Sequence, residues 1–198
     1  MPRESEFTKP NSWCPEPELW EAPDADSTER EVTDLVAAFV RATKPQLVLE
    51  TGTSHGYTAE AIGRALIANG RGRLVSLELD AELVAIARAR CEGLPVDVLE
   101  CDSASWAPEP GQSIDFAWLD SHIIGRVHEL KRLRTRFSPG AIVGLHDTGP
   151  QHPVHNVLHK VGLPWPRIRL RTPRGVTFLE APLAVPERPA GSPPVVPS

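Results

Sequence analysis

The stretch that decides the fold is VLETGTSHGYTA, residues 48–59. Its first residues favour a β-strand that ends on the acid Glu50, and its last residues can begin a helix. Between them, Gly52 and Gly56 lie four positions apart, and glycines allow the backbone to approach a ligand closely. The stretch therefore predicts a binding loop between a strand and a helix.

Strand-like and helical segments alternate on both sides of this loop. The predicted strands are QLVLE (46–50), RLVSLEL (73–79), VDVLECD (96–102), IDFAWLD (114–120), AIVGLHD (141–147), RIRLRT (167–172) and GVTFLEA (175–181). The predicted helices are 27–44, with Ser27 or Thr28 as its cap, 58–70, 81–93, 125–137 and 153–162. This alternation predicts an α/β fold: a Rossmann-like, doubly wound, mostly parallel seven-stranded sheet with a terminal antiparallel hairpin.

Composition and proline content set the expected organisation. The 198 residues are enough for one domain, and 40% of them are hydrophobic. We expect an N-terminal arm over 1–26, a domain over 27–181 and a disordered Pro-rich tail over 182–198. Three cysteines without metal-type spacing predict reduced thiols, and no apolar run resembles a signal peptide or a membrane span. We therefore expect a cytoplasmic protein.

The net charge of −5 argues against a nucleic-acid partner, which would normally contact a basic face. Acidic residues instead collect where the predicted strands end. In a parallel sheet these ends meet at one edge, which is where ligands bind. The residues concerned are Glu50, Glu78, Asp102, Asp120, and His146 with Asp147. The sequence therefore predicts a binding site at this edge of the sheet.

The glycine spacing indicates which ligand fits the loop. A dinucleotide site has G-x-G-x-x-G, whereas this loop has G-x-x-x-G after an acid, and it lacks the lysine of a P-loop. Glu50 would repel a pyrophosphate group. Glu78 ends the second strand, 22 residues after Gly56, and a carboxylate there accepts hydrogen bonds from a ribose diol. These features predict a ligand with a ribose and without a pyrophosphate.

Five segments, in order, resemble the motifs of class I S-adenosylmethionine-dependent methyltransferases over roughly residues 28–180. They are VLETGTSHGYTA, LVSLELD, LECDSASW, IDFAWLDSHIIGRVHELKRL and SPGAIVGLHDT, with TPRGVTFL similar to the family's last strand. The resemblance implies S-adenosyl-L-methionine as the cofactor. The implied cofactor-binding residues are Glu50, Gly52 and Gly56 beside the methionine part, Thr53 and Ser54 in the loop, Glu78 on the ribose, Asp102 on the adenine, and Asp120.

Within this family, the chain resembles the small-molecule O-methyltransferases of the catechol and macrolide-sugar types. In those enzymes, residues at the ends of the fourth and fifth strands bind a divalent cation such as Mg²⁺. The corresponding residues are Asp120, His146 and Asp147, and the cation would gather substrate oxygens and activate a hydroxyl. This sequence departs from the pattern because His146 stands where an acid is common, and Mg²⁺ prefers oxygen ligands.

Two other interpretations of these residues remain open. His122 or His146 could act directly as a general base beside Asp147, without a metal ion. Either histidine could also be hydrogen-bonded at a strand end and take no part in chemistry.

The expected function is methyl transfer to a hydroxyl oxygen of a small molecule, with specialised metabolism as one setting. The alternatives are a protein that binds S-adenosylmethionine without catalysis, or an N-methyltransferase. No nucleic acid or membrane is expected as a partner, and the similar enzymes make a homodimer an option.

Overall fold

The structure is a computed structural model, and it describes residues 11–24 and 26–183. The predicted tail therefore lies outside the described residues from 184 onward, as do the first ten residues of the predicted arm. Among the described residues, no helix combines the length and the apolar character needed to span a membrane.

Seven strands form one sheet, with the spatial order β3-β2-β1-β4-β5-β7-β6. All strands except β7 run parallel, and β7 lies antiparallel between β5 and β6. The strands are β1 (Leu47–Thr51), β2 (Arg73–Glu78), β3 (Val96–Glu100), β4 (Ile114–Leu119), β5 (Phe137–His146), β6 (Arg167–Leu170) and β7 (Val176–Glu180). The predicted fold class is confirmed, including the antiparallel hairpin at its end.

Helices cover both faces of the sheet and bury an apolar cluster on each. The helices are α1 (Arg30–Thr43), α2 (Tyr57–Asn69), α3 (Ala81–Arg90), α4 (Gly125–Leu133) and α5 (Pro153–Lys160). On one face, α1 and α2 pack on Val48, Phe116 and Trp118. On the other face, α4 and α5 pack on the alternate residues of the same strands, such as Leu49 and Leu119. Successive strand residues point to opposite faces, so a central parallel strand is apolar on both.

β5 begins earlier than the sequence predicts. The predicted strand starts at Ala141, whereas Pro139 and Gly140 also lie within β5. The register shifts here, because Ile114 pairs with Phe137 whereas Phe116 pairs with Ile142. An irregularity in the pairing therefore accommodates the proline, which cannot donate to a ladder hydrogen bond.

The first helix begins later than predicted, and neither predicted cap residue caps it. Ser27 Oγ donates to Asp24 Oδ2 at 2.8 Å, and Thr28 Oγ1 donates to Asp120 Oδ2 at 2.7 Å. The helix starts at Arg30, and Glu29 precedes it without a capping hydrogen bond from its side chain. The segment before α1 therefore lies over the carboxyl ends of the strands.

Candidate active site

The glycine loop, residues 52–56, turns tightly between β1 and α2. Gly52 donates its backbone N–H to the carbonyl of Leu77 at 2.9 Å, which ties the loop to β2. Gly52 has a φ of +78°, and a Cβ at this position would lie 2.3 Å from the carbonyl oxygen of Asp120. The glycine is therefore required for the loop to lie against the end of β4. Gly56, with a φ of +81°, immediately precedes α2.

The Glu78 carboxylate is held in place by three backbone N–H groups. Oε2 accepts from Ser54 at 2.8 Å, and Oε1 accepts from Leu79 at 2.8 Å and from Asp80 at 3.1 Å. Ser54 has a positive φ of 49°, which is uncommon for a residue other than glycine. The backbone of Ser54 thus donates to the Glu78 carboxylate, which is predicted to bind a ribose.

Glu50 lies beneath the loop rather than at its surface. Its carboxylate is 1% exposed and accepts a short hydrogen bond from Ser76 Oγ, which also contacts Thr53 Oγ1 at 2.5 Å. The pKa of Glu50 is raised to about 8, chiefly by burial; the Ser76 hydrogen bond lowers it, and the nearby carboxylates of Asp120 and Glu78 contribute to raising it. Glu50 therefore resists ionisation near neutral pH in the absence of a nearby positive charge.

A cavity of about 320 Å³ opens at this edge of the sheet. It is bounded by the segment before α1, the glycine loop, the end of β2 and the loop after β4. Seven of the predicted site residues line it: Gly52, Thr53, Ser54, Gly56, Glu78, Asp120 and His122. Among the described residues, the lining includes carboxylates but no lysine or arginine. Such a surface suits a neutral or positively charged ligand.

Asp102 is exposed and does not line this cavity. Its Oδ1 accepts from the backbone N–H of Ala104 at 2.8 Å. The loop that carries Asp102 lies close to Glu78, because Cys101 N–H donates to the Glu78 carbonyl at 2.8 Å. Contact between Asp102 and an adenine base stays a prediction.

His146 is fully buried, and both of its ring nitrogens are engaged by carboxylates. Nε2 lies 2.7 Å from Glu29 Oε2, and Nδ1 lies 3.2 Å from Asp120 Oδ1. Burial alone would lower the pKa of this histidine, but the carboxylates of Asp120, Asp147 and Glu29 raise it to about 10. A charged histidine without access to the cavity does not fit the predicted general base.

Asp147 is also buried, and two arginines hold its carboxylate. Arg174 donates from Nε to Oδ1 at 2.5 Å and from Nη2 to Oδ2 at 2.9 Å, while Arg126 Nη1 donates to Oδ2 at 2.6 Å. Burial would raise the pKa of Asp147, but the charges of His146 and the two arginines hold it far below its usual range. Asp147 is 1% exposed, so direct contact with an acceptor does not fit its position.

Asp120 connects the buried side chains to the cavity. Its Oδ1 accepts from Arg126 Nη2 at 2.9 Å and faces His146, while its Oδ2 accepts from Thr28. Burial would raise the pKa of Asp120, but His146 and Arg126 lower it. We call the connected side chains the ion network: Glu29, Asp120, Arg126, His146, Asp147 and Arg174.

The predicted metal ligands do come together. Asp120, His146 and Asp147 each offer one ligand atom within 4.8 Å of the others. However, both oxygens of each aspartate and both ring nitrogens of the histidine already face other side chains of the ion network or Thr28. The arginines and the charged histidine also balance the carboxylates. As arranged, these residues do not fit a divalent cation.

His122 is the predicted catalytic residue that has access to the cavity. It follows β4, is exposed, and lines the cavity beside Asp120 and Ser121. By contrast, the side chains of His146 and Asp147 are buried in the ion network and do not reach the cavity. The structure therefore separates the three predicted catalytic residues into one accessible side chain and two buried ones.

Sequence reasoning missed Glu29, Thr28, Arg126 and Arg174. Thr28 was interpreted as a helix cap, and Arg126 lies in the predicted helix 125–137, to which no site role was given. Arg174 lies in the predicted hairpin connection. Its contact with Asp147 spans 27 positions, and the contact of Glu29 with His146 spans 117. No local pattern reports such pairs.

A further buried carboxylate, that of Glu129 in α4, joins segments at the same edge of the sheet. It accepts from Thr51 Oγ1 at 2.8 Å and Ser121 Oγ at 2.6 Å, and Ser103 Oγ also donates to it. These hydroxyls follow or end three different strands. The sequence offered a signal here, because an acid among the apolar positions of an amphipathic helix points inward.

The fold and the cavity define a doubly wound α/β protein that binds a ligand at the carboxyl ends of its parallel strands. Residues 49–148 match a family model described as a methyltransferase domain. The match covers slightly more than half of the chain, so the chain belongs to this methyltransferase family. The predicted membership of the class I methyltransferases is confirmed. No curated protein matches the sequence.

Solved structures share the fold at low sequence identity. A putative O-methyltransferase from Klebsiella pneumoniae is 21% identical with a TM-score of 0.68, covering 80% of this chain and 83% of that one. The O-methyltransferase TomG from Streptomyces achromogenes, involved in tomaymycin synthesis and solved with S-adenosylmethionine, is 21% identical with a TM-score of 0.65, covering 81% and 83%. An O-methyltransferase from Bacillus cereus with S-adenosylhomocysteine is 18% identical with a TM-score of 0.64, covering 79% and 83%.

Proposed function

We propose that this protein transfers a methyl group from S-adenosyl-L-methionine to a hydroxyl oxygen of a small molecule. The observation that carries the proposal is a single cavity lined by the glycine loop, by Glu78 and by the accessible His122. Groups suited to cofactor binding and a group suited to acid-base chemistry therefore share one cavity. Two of the similar structures are O-methyltransferases with S-adenosylmethionine or S-adenosylhomocysteine bound, which supports the same cofactor and acceptor atom here.

The cavity lining fits this cofactor. The Glu78 carboxylate, fixed by three backbone N–H groups, has one further lone pair, on Oε2, with which to accept from a ribose hydroxyl. Glu78 and Asp120 are acidic, and Glu50 lies buried close by, which favours a positive charge in the site. When bound, S-adenosylmethionine supplies an electrophilic methyl group on a sulfonium. The main contribution of the chain is then to align the acceptor oxygen with that group.

His122 is the proposed general base. A neutral imidazole beside the cavity can accept the proton of an acceptor hydroxyl near neutral pH, which makes the oxygen a better nucleophile. Asp120, next to Ser121 and His122 in the lining, can accept a hydrogen bond from the acceptor or the cofactor. The buried His146 and Asp147 hold Asp120 in position from below, instead of contacting the acceptor themselves.

Calorimetric titration of the full chain with S-adenosylmethionine and S-adenosylhomocysteine tests the cofactor. We expect both to bind, and failure of both at high micromolar concentration would remove the central claim. A mass-shift screen of hydroxylated compounds then tests the reaction, because each transfer adds one methyl group. Binding without turnover would favour a cofactor-binding protein, and products methylated on nitrogen would favour the N-methyltransferase alternative.

Substitution of the proposed base tests its role. His122→Ala should lower kcat about 10²–10⁴-fold, as is typical for loss of a general base, and should leave cofactor affinity unchanged. His128→Ala is the matched control, because His128 is exposed on α4 and does not line the cavity. Equal kcat values for the two variants would exclude His122 as the base. The small-molecule acceptor, the absence of a nucleic-acid partner, the homodimer and the setting in specialised metabolism remain predictions.

A further inference from the structure

The position of the Arg126 guanidinium has a consequence for the chemistry of the site. Arg126 Nη2 lies 2.9 Å from Asp120 Oδ1, and its Nη1 lies 2.6 Å from Asp147 Oδ2. The guanidinium therefore bridges the two carboxylates that a shared cation would have to bridge. Its positive charge lies where the resemblance to metal-dependent enzymes places an ion.

Arg126 is anchored there by its remaining donors. Its Nε donates to the Ser121 carbonyl at 2.6 Å, its Nη1 also donates to the His146 carbonyl at 2.9 Å, and its Nη2 also faces the Asp120 carbonyl at 3.4 Å. All five N–H donors of the guanidinium thus have an acceptor. The residue is 4% exposed, so leaving this position would strand several buried acceptors.

The other ligand atoms also have partners. Arg174 donates to Asp147 Oδ1, Thr28 donates to Asp120 Oδ2, and His146 Nε2 lies against Glu29 Oε2. Arg126 and Arg174 already place two positive charges beside the buried carboxylates of Asp120 and Asp147. A divalent ion would bring two further positive charges next to these guanidiniums.

We infer that Arg126 is a built-in cation in the place of a divalent metal ion, and that methyl transfer at this site needs no metal. This inference rests on the proposed function for its chemical meaning. Because every guanidinium donor is used, Arg126 cannot gather two adjacent acceptor oxygens as a metal ion does. The acceptor therefore needs no pair of neighbouring hydroxyls, and one hydroxyl within reach of His122 is sufficient.

Mn²⁺ binding to the full chain tests the inference without cofactor or acceptor. Free Mn²⁺ is followed by electron paramagnetic resonance during titration of the wild-type protein and of Asp147→Asn. We expect no binding that depends on Asp147. Stoichiometric binding that Asp147→Asn abolishes would overturn the inference, whereas binding unchanged in that variant would place the ion elsewhere and leave the inference intact.

A gain of binding is expected when the guanidinium is removed. Arg126→Met frees Asp120 Oδ1 and one contact of Asp147, so the folded variant should bind Mn²⁺ at least about tenfold more tightly than wild type. Arg134→Ala is the matched control, because Arg134 is exposed at the end of α4 and lies outside the ion network. A folded Arg126→Met without this gain would refute the role assigned to Arg126. If Arg126→Met does not fold, the wild-type titration decides alone.

Neither titration depends on catalysis. Failure of the proposed methyl transfer would leave the Mn²⁺ result unchanged. Conversely, a protein that methylates an acceptor and also binds Mn²⁺ through Asp147 would retain the proposed function and lose this inference.

Discussion

The glycine loop and the ion network adjoin the same cavity, but they are built in opposite ways. The loop is short in sequence and is shaped by backbone contacts, such as Gly52 N–H to the Leu77 carbonyl. The ion network is made of side chains from five places: the start of α1, the end of β4, α4, the end of β5 and the β6–β7 connection. Asp120 belongs to the network and also lines the cavity.

This difference suggests a division of labour between the two regions. A backbone-built loop keeps its shape provided that the glycines are kept. A network of buried charges instead requires every partner, because removal of one leaves another unpaired in a medium of low dielectric. We therefore expect substitutions in the loop to act mainly on cofactor binding, and substitutions in the network to act mainly on folding.

The largest expected effect is on the stability of the ion network. Arg126→Met should lower the free energy of unfolding by about 3–5 kcal/mol, because it leaves the buried carboxylates of Asp120 and Asp147 without their shared partner. Urea unfolding followed by circular dichroism measures this. The exposed Arg134→Ala should change stability by less than about 0.5 kcal/mol. Similar losses for both variants would contradict the division of labour.

Gly52→Ala is expected to damage the loop. Alanine at a φ of +78° costs roughly 1–2 kcal/mol, and its Cβ would collide with the Asp120 carbonyl, so the loop must move away from β4. We expect a loss of unfolding free energy of about 2 kcal/mol together with a loss of S-adenosylmethionine binding. Calorimetry and urea unfolding on the same sample separate the two effects. Retained wild-type affinity would show that the loop position is unimportant for the cofactor.

The fold could be predicted from the sequence because its signals are local. Apolar runs such as residues 47–51 and 114–119 are buried on both faces, and such runs are typical of central parallel strands. The boundaries that were wrong depend instead on long-range contacts. The bulge near Pro139 depends on its pairing with β4, and the late start of α1 depends on Thr28 bonding to Asp120 instead of capping the helix.

The candidate site was predictable only in the part that follows strand ends. Glu78, Asp120 and His122 line the cavity because topology alone brings strand ends together. Arg126 and Arg174 were missed because their roles come from long-range pairing with Asp147, which no spacing rule reports. The same pairing also explains why the three predicted metal ligands lie close together although their ligand atoms already contact arginines or other side chains.

Glu78→Ala should weaken cofactor binding without a large effect on the ion network. Loss of hydrogen bonds to a charged carboxylate costs about 1.5–3 kcal/mol, which corresponds to roughly 10–100-fold in affinity. Calorimetric titration with S-adenosylmethionine measures the change. The matched control is Glu82→Ala, because Glu82 is exposed on α3 and does not line the cavity. Equal affinities for the two variants would show that the ribose lies elsewhere.

The smallest effect in a single measurement, taken per pH unit, is the pH dependence of stability that His146 contributes. Its pKa is about 10 in the folded protein and roughly 6.5 in the unfolded chain. Below pH 6.5 both states are protonated, and the stabilisation is complete. Between these two values the unfolded chain has lost a proton that the folded protein keeps. The free energy of unfolding should therefore fall as pH rises, by up to about 1.4 kcal/mol per pH unit.

Urea unfolding at a series of pH values checks this slope by comparing His146→Gln with His128→Gln. The two variants differ only at these two histidines, so the difference between their profiles reports on His146 and on the carboxylates whose pKa values it lowers. We expect the decline above pH 6.5 to be retained in His128→Gln, where the buried histidine is intact, and to be lost in His146→Gln. Parallel profiles would mean that His146 is neutral in the folded protein. The ion network would then carry a net negative charge, and Arg126 would no longer suffice to balance it.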